Sequence, residues 1–203
     1  MQVSKDYIRK DITDAAQKLF LKKGYANVSM REIATKAQVG LSNMYNYFKN
    51  KDDLFRHLAQ PAIDAMEALL EKHHGVHGKD MMEMRSEDFI RETISDYVGI
   101  LKKYKKEMNL LLFRARGSSL QNFKEDFTNK STVIVRQYLS NEKVKHEMIN
   151  DGVSDFFIHM HTVWMFSLIE ELLRQKINDE KLEKILNEYI RFEAIGWREL
   201  IEI

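Results

Sequence analysis

The sequence predicts an all-α protein. Its 203 residues include 1 proline and 8 glycines, they are rich in Leu, Met, Glu and Lys, which favour helix, and no run of alternating β-branched residues requires a sheet. Apolar residues recur instead at intervals of three and four, the spacing that gathers them on one helix face.

Ile8, Ile12, Ala15, Ala16, Leu19 and Phe20 define a first helix over about residues 6–23, where Lys22-Lys23-Gly24 supplies a basic last turn and a glycine stop. Ser29 stands three before Glu32, so hydroxyl and carboxylate can each satisfy an orphan amide at a helix start. This capping box opens a short helix carrying Ile33, Ala34 and Ala37, which breaks at Gln38-Val39-Gly40, where glycine permits a sharp turn. A second short helix is expected from Leu41 to about Tyr47. Asn50 can cap the next, with Asp52 and Asp53 opposing the dipole in its first turn and Leu54, Phe55 and Leu58 facing inward. Pro61 is expected to interrupt it, by a kink or by an end near Ala59.

Residues 74–80 read as a surface loop with two glycines and no apolar period. Ser86 then caps a helix carrying Phe89, Ile90, Ile94, Tyr97, Val98 and Leu101. Further helices are expected over about residues 106–116, stopping at Gly117, and over 119–144, 153–176 and 180–203. The 153–176 segment is apolar on nearly every face and must be covered all round. A chain of this size rarely holds a central helix unless a partner subunit covers one side, which implies a C2 homodimer pairing the last two helices of each subunit.

Composition excludes several function classes. With no cysteine there is no disulfide framework, thiolate zinc site or cysteine nucleophile, and a reducing cytoplasm is the natural setting. The first residues carry no apolar leader, and charges interrupt each apolar run before about 18 residues, so a soluble protein without a membrane partner is expected. There is no glycine-rich phosphate loop, no Gly-x-Ser-x-Gly elbow and no His-Glu-x-x-His; an enzyme and a cofactor are not expected. His73, His74 and His77 near Met81, Met82 and Met84 have soft-metal chemistry, but their spacing is loose and fixes no acidic or thiolate partner, so no metal site is expected. Net charge is +1, yet residues 1–60 carry 11 Lys/Arg against 6 Asp/Glu and the remainder 21 against 25. A basic module on a mildly acidic body suits a polyanion at one end.

Two short helices joined by a tight turn, packed on a first helix and followed by aromatics, have the outline of a helix-turn-helix, although a structural αα-corner shares it. The run Gly24-Tyr25-Ala26-Asn27-Val28-Ser29-Met30-Arg31-Glu32-Ile33-Ala34, then Ala37-Gln38-Val39-Gly40-Leu41-Ser42-Asn43-Met44-Tyr45-Asn46-Tyr47-Phe48, then Lys51 and Leu54, is more specific. It closely resembles the N-terminal domain of the tetracycline-repressor (TetR) family of bacterial regulators, in register without a gap. Gln38 stands where such sequences often have glycine, Gly40 where serine commonly caps, and Pro61 where a continuous helix is usual. The resemblance covers about the first 60 residues.

It implies a helix-turn-helix DNA-binding domain over residues 1–50 and a helical effector-binding and dimerisation domain over 51–203. The implied function is a sequence-specific transcriptional regulator, a homodimeric repressor released from an inverted-repeat operator in double-stranded DNA by a small-molecule effector. The alternative is a DNA-binding factor of the same type without such an effector, architectural or protein-regulated. Carried over residue by residue, the family's major-groove contacts fall between Leu41 and Tyr47. Asn43 and Asn46 can pair with adenine edges and Ser42 with any base, while Tyr45 either packs inward or meets a thymine methyl. Ser29, Tyr47 and Lys51 suit phosphate oxygens, Ser29 being equally readable as a cap alone. In the core, Phe157, His161 and Trp164 share a stripe that Tyr97, Met108 and Phe113 could complete as an effector pocket, though each is also readable as ordinary core.

Overall fold

A computed structural model describes residues 2–175 and 177–201. Helix α1 (Gln2–Lys23) leads through a 3-10 turn (Tyr25–Asn27) to the short α2 (Met30–Ala37) and α3 (Leu41–Met44). There follow α4 (Lys51–His74), α5 (Glu87–Lys103), α6 (Lys105–Asn109) with a π-helical turn (Leu110–Arg114), then α7 (Phe123–Lys145), α8 (Asp155–Arg174) and α9 (Asp179–Ile201). No strand occurs among the described residues, as the composition predicts. Lys176 and Ile203, the ends expected for the last two helices, lie outside the described residues.

The chain divides into two compact units, residues up to Ile63 with Lys106–Phe123, and Asp64–Lys105 with Lys124 onward. In the first unit α1 lays Ile12, Ala16 and Phe20, all fully buried, against Ile33 of α2 and Met44 of α3, with Leu54 and Phe55 of α4 completing the core. Leu110 and Ala115, distant in sequence, join the same cluster. Phe20, Tyr25 and Phe55 form an aromatic triplet at centroid distances of 5.9, 5.2 and 5.2 Å, a geometry that adds about 0.5–1.5 kcal/mol per pair beyond area burial. The second unit packs α5 on α9 and buries Ile94, Phe166, Ile169 and Leu186.

Several boundaries differ from expectation for physical reasons. α4 does not end near Ala59 but runs on through Pro61 to His74. Pro61 and His57 are both exposed, so the carbonyl that loses its helical donor can be met by water. α3 ends at Met44 and not Tyr47, because the amides of Asn46 and Tyr47 turn back on Asn43 and Met44 in tight i→i+3 bonds. The 119–144 helix starts only at Phe123: Ser118 closes a turn on Ala115, and Ser119 is held by Asp52.

Candidate nucleic-acid interface

The α2–turn–α3 segment is built by local chemistry. Ser29, in extended backbone, caps α2 by accepting from the Glu32 amide at 3.2 Å. Glu32 does not complete a reciprocal box; its carboxylate meets Lys23 at 2.5 Å, tying α2 back to α1. The turn then requires a left-handed residue, and Gln38 takes it at φ 56°, ψ 36°. A side chain in that region costs about 1–2 kcal/mol relative to glycine. Gly40 offers α3 no side-chain cap.

From α3 onward the residues alternate between anchoring and display. Met44 and Phe48 are buried, and Leu41 and Tyr47 pack half-buried on the same core. Ser42 and Asn46 are exposed, and Tyr45 is 50% exposed. Of the two options for Tyr45, display is therefore the one adopted. Asn46 donates from Nδ2 to Asn43 Oδ1 at 3.0 Å, which holds two amide side chains one turn apart as a single polar surface. An amide pair so fixed loses less rotamer freedom on meeting a base edge.

Lys51 has a role that its sequence position did not disclose. Its ammonium donates to the carbonyls of Tyr25 at 3.0 Å and Val28 at 2.9 Å and sits 4.1 Å above the Tyr25 ring. It thus ties the α1–α2 connection to the start of α4. Burial lowers its pKa. Two of three ammonium protons are committed, leaving one for another acceptor. Asn50 caps α4 as expected, accepting from the Asp53 amide at 2.8 Å. Lys36 and Lys49, exposed cations beside the turn and after α3, were not singled out from sequence; only their sign marks them.

The sequence-derived pocket residues fall into both units. Met108, fully buried, and Phe113 belong to the first; Tyr97, Phe157, His161 and Trp164 belong to the second. Within the second unit, Phe157 meets Trp164 at 5.9 Å and Trp197 at 5.5 Å, edge to face. His161 meets Trp197 at 5.1 Å and pairs with Glu193 at 2.5 Å. The Tyr97 hydroxyl donates to Met165 sulfur at 3.4 Å; burial and then the Glu193 charge push its pKa up to about 12. Nearby burial holds His73 near 4 and His74 near 3, so both rings are neutral, and each keeps one buried nitrogen without a hydrogen-bond partner. Trp197 and Glu193 escaped the sequence reading because on α9 they look like any amphipathic face.

Residues 12–58 match the sequence model of "Bacterial regulatory proteins, tetR family". That stretch carries the N-terminal module of the TetR family. YhgD of Bacillus subtilis (strain 168), described as an uncharacterized HTH-type transcriptional regulator, is 38% identical over 77 residues, 34% of this chain and 40% of YhgD. The match thus spans well under half the length of that relative. Over nearly the whole chain the fold is similar to that of solved TetR-family regulators. A transcriptional regulator from Aquifex aeolicus VF5 has a TM-score of 0.61 at 18% identity, covering 91% of this chain and 98% of that one. NalD, the secondary repressor of the MexAB-OprM multidrug efflux pump in Pseudomonas aeruginosa, has a TM-score of 0.61 at 18% identity, covering 100% and 98%.

Proposed function

We propose that this chain is a DNA-binding transcriptional regulator of the TetR type that reads an inverted-repeat operator as a homodimer, with the α3 segment of each subunit in a major groove. The observation that carries the reading is the exposed Ser42–Tyr45–Asn46 surface, with Asn46 hydrogen-bonded to Asn43, on a turn anchored by buried Met44 and Phe48. Such amides suit adenine edges, and Ser42 suits any base. Ser29, Tyr47 and the uncommitted proton of Lys51 suit phosphate oxygens, which fix register without reading sequence. Leu41 anchors the start of α3.

Of the two forms of this reading we take the effector-responsive repressor over the constitutive DNA-binding factor. His73, His74 and Thr93 leave buried polar atoms without protein partners, and such atoms are ordinarily satisfied by something. A ligand supplying those hydrogen bonds alters DNA affinity only by preferring one arrangement of the dimer over another.

The test is selection of binders from a random duplex pool at about physiological salt, where counterion release suppresses non-specific binding. An enriched inverted repeat with half-sites about one helical turn apart is expected. Recovery of no motif, or of a single unrepeated site, overturns the operator reading.

A further inference from the structure

Where the α4–α5 connection meets the end of α7, within the second unit, two carboxylates and an imidazole converge. Asp80, Glu142 and His146 each place one potential ligand atom within 4.8 Å of the others. Glu142 and His146 are four residues apart, in the last turn of α7 and just past it, so they share a face. Asp80 approaches from the loop after α4.

Glu142 is the unusual member. Its side chain is 1% exposed although it sits at the negative end of a 23-residue helix, where another negative charge is disfavoured. Its Oε2 accepts from the Met81 amide at 2.8 Å and its Oε1 from Lys145 at 2.6 Å, a lysine that is itself about half exposed. Burying a carboxylate is costly unless its charge is well matched. One amide and one largely solvated ammonium match it incompletely.

The other two members supply access and a soft donor. His146 Nε2 lies 3.1 and 3.0 Å from the two oxygens of Asp80, so a single proton bridges imidazole and carboxylate. The Met82 amide fixes Asp80 Oδ1 at 2.9 Å. Side-chain exposures of 33% for Asp80 and 29% for His146 leave this edge open to solvent while Glu142 closes it from inside.

We infer that Asp80, Glu142 and His146 bind a divalent first-row transition-metal ion. The ion takes the place of the proton between His146 and Asp80, coordinated by the imidazole nitrogen and one oxygen from each carboxylate, with water in the remaining positions. His146 and Asp80, at 3.0–3.1 Å, already stand nearly as close as two ligands of one ion with bonds of about 2.0–2.2 Å; the pair has to open slightly and close on Glu142, which the two solvent-side members can do by side-chain rotation. A nitrogen donor beside two carboxylates suits Zn²⁺ or its neighbours better than Mg²⁺ or Ca²⁺, which prefer oxygen throughout. The histidines that the sequence offered for metal chemistry are placed otherwise: His73 is buried, and His77 is exposed.

The full-length protein is titrated with Zn²⁺ and, separately, Mg²⁺ by calorimetry, and zinc retained after desalting is measured by atomic absorption. One Zn²⁺ per chain at about micromolar affinity or tighter is expected, with Mg²⁺ far weaker. His146→Ala and Asp80→Asn, both at solvent-accessible positions, should each weaken Zn²⁺ binding about tenfold or more, while His77→Ala leaves it unchanged. Absence of binding below about 100 μM, equal affinity for Mg²⁺, or undiminished binding by both variants overturns the assignment. None of these outcomes bears on operator recognition, which the duplex selection tests alone.

Discussion

The Asp52 carboxylate in the first turn of α4 accepts two hydrogen bonds from Ser119, one from the amide at 2.8 Å and one from the hydroxyl at 2.7 Å, across 67 residues of sequence. Arg56 lies 3.5 Å from the same hydroxyl oxygen. The contact joins the start of α4, immediately after the helix-turn-helix, to the 106–123 segment that belongs to the same unit. Burial alone would raise the Asp52 pKa, but the Ser119 hydroxyl and amide, the Arg56 charge and the Tyr25 hydroxyl together outweigh it and hold the carboxyl below its usual value.

A carboxyl depressed in the folded state contributes stability that is present above its unfolded pKa and lost as pH falls through the folded one. Asp52→Asn should therefore lower unfolding free energy at pH 7 by about 1–2 kcal/mol, and the deficit should shrink below pH 4. Urea denaturation at pH 7, 4 and 3 measures this. A deficit that is constant with pH would show that lost packing, and not the charge, matters.

Gln38 gives a prediction of opposite sign. It holds a left-handed conformation at φ 56° and is exposed, so its side chain contributes little to the core while its Cβ strains the backbone. Gln38→Gly relieves that strain but gives the unfolded chain more freedom, leaving a net gain of about 0.5–1 kcal/mol. A thermal or urea midpoint unchanged or lowered by the substitution would show that the Gln38 side chain makes a compensating contact.

The comparison of these two residues shows what sequence could and could not disclose. Ser29, Asn50 and Ser86 were legible as caps because a cap acts on residues three positions away, and each accepts the amide that spacing implies. The core of the first unit was legible for the same reason, since Ile12, Phe20, Ile33 and Leu54 follow local periodicity. Ser119 was not legible: a serine before an amphipathic run looks like a cap until a carboxylate from elsewhere in the chain takes its hydroxyl. Lys51 was legible only by analogy as a cation near DNA, because the Tyr25 and Val28 carbonyls it holds depend on how the loop folds back. Of the two outcomes that Pro61 allowed, an end near Ala59 does not occur, and the exposure of His57 and Pro61 that lets water meet the freed carbonyl is not legible from a proline's position alone.

Asn46 and Lys51 separate base reading from positioning. Asn46 is exposed and contributes to the fold only a surface hydrogen bond, so Asn46→Ala should leave the unfolding midpoint nearly unchanged. It should cost about 1–3 kcal/mol on the preferred operator and relax selectivity at one position of each half-site. Lys51→Ala should weaken all duplexes alike and flatten the salt dependence. Because Lys51 also bridges two carbonyls, the same substitution should cost about 2 kcal/mol of stability. Fluorescence anisotropy on operator and scrambled duplexes at several salt concentrations, beside urea melts, resolves the two effects. Equal losses on every duplex for both variants would remove the base-reading role from Asn46.

The last two helices carry the proposed subunit contact, and their exposed side chains allow it to be broken without disturbing the fold. Phe156 is 75% exposed and Trp164 44% on α8, and on α9 Phe192 is 70% and Ile195 57% exposed. Phe192 and Ile195 lie one turn apart and therefore on one face. Large apolar side chains sharing an exposed helix face are rarely left in water, and a two-fold interface covers such a face with its own copy. Phe192→Glu places two like charges near the proposed axis, yet removes almost nothing from the protomer core, so its helical circular dichroism should match that of the parent. Sedimentation velocity at micromolar concentration should give a dimer for the parent chain and a monomer for the variant. Operator affinity should fall with it, because a monomer engages one half-site and forfeits the second binding event. A variant that stays dimeric and binds the operator normally would place the subunit contact elsewhere on the chain.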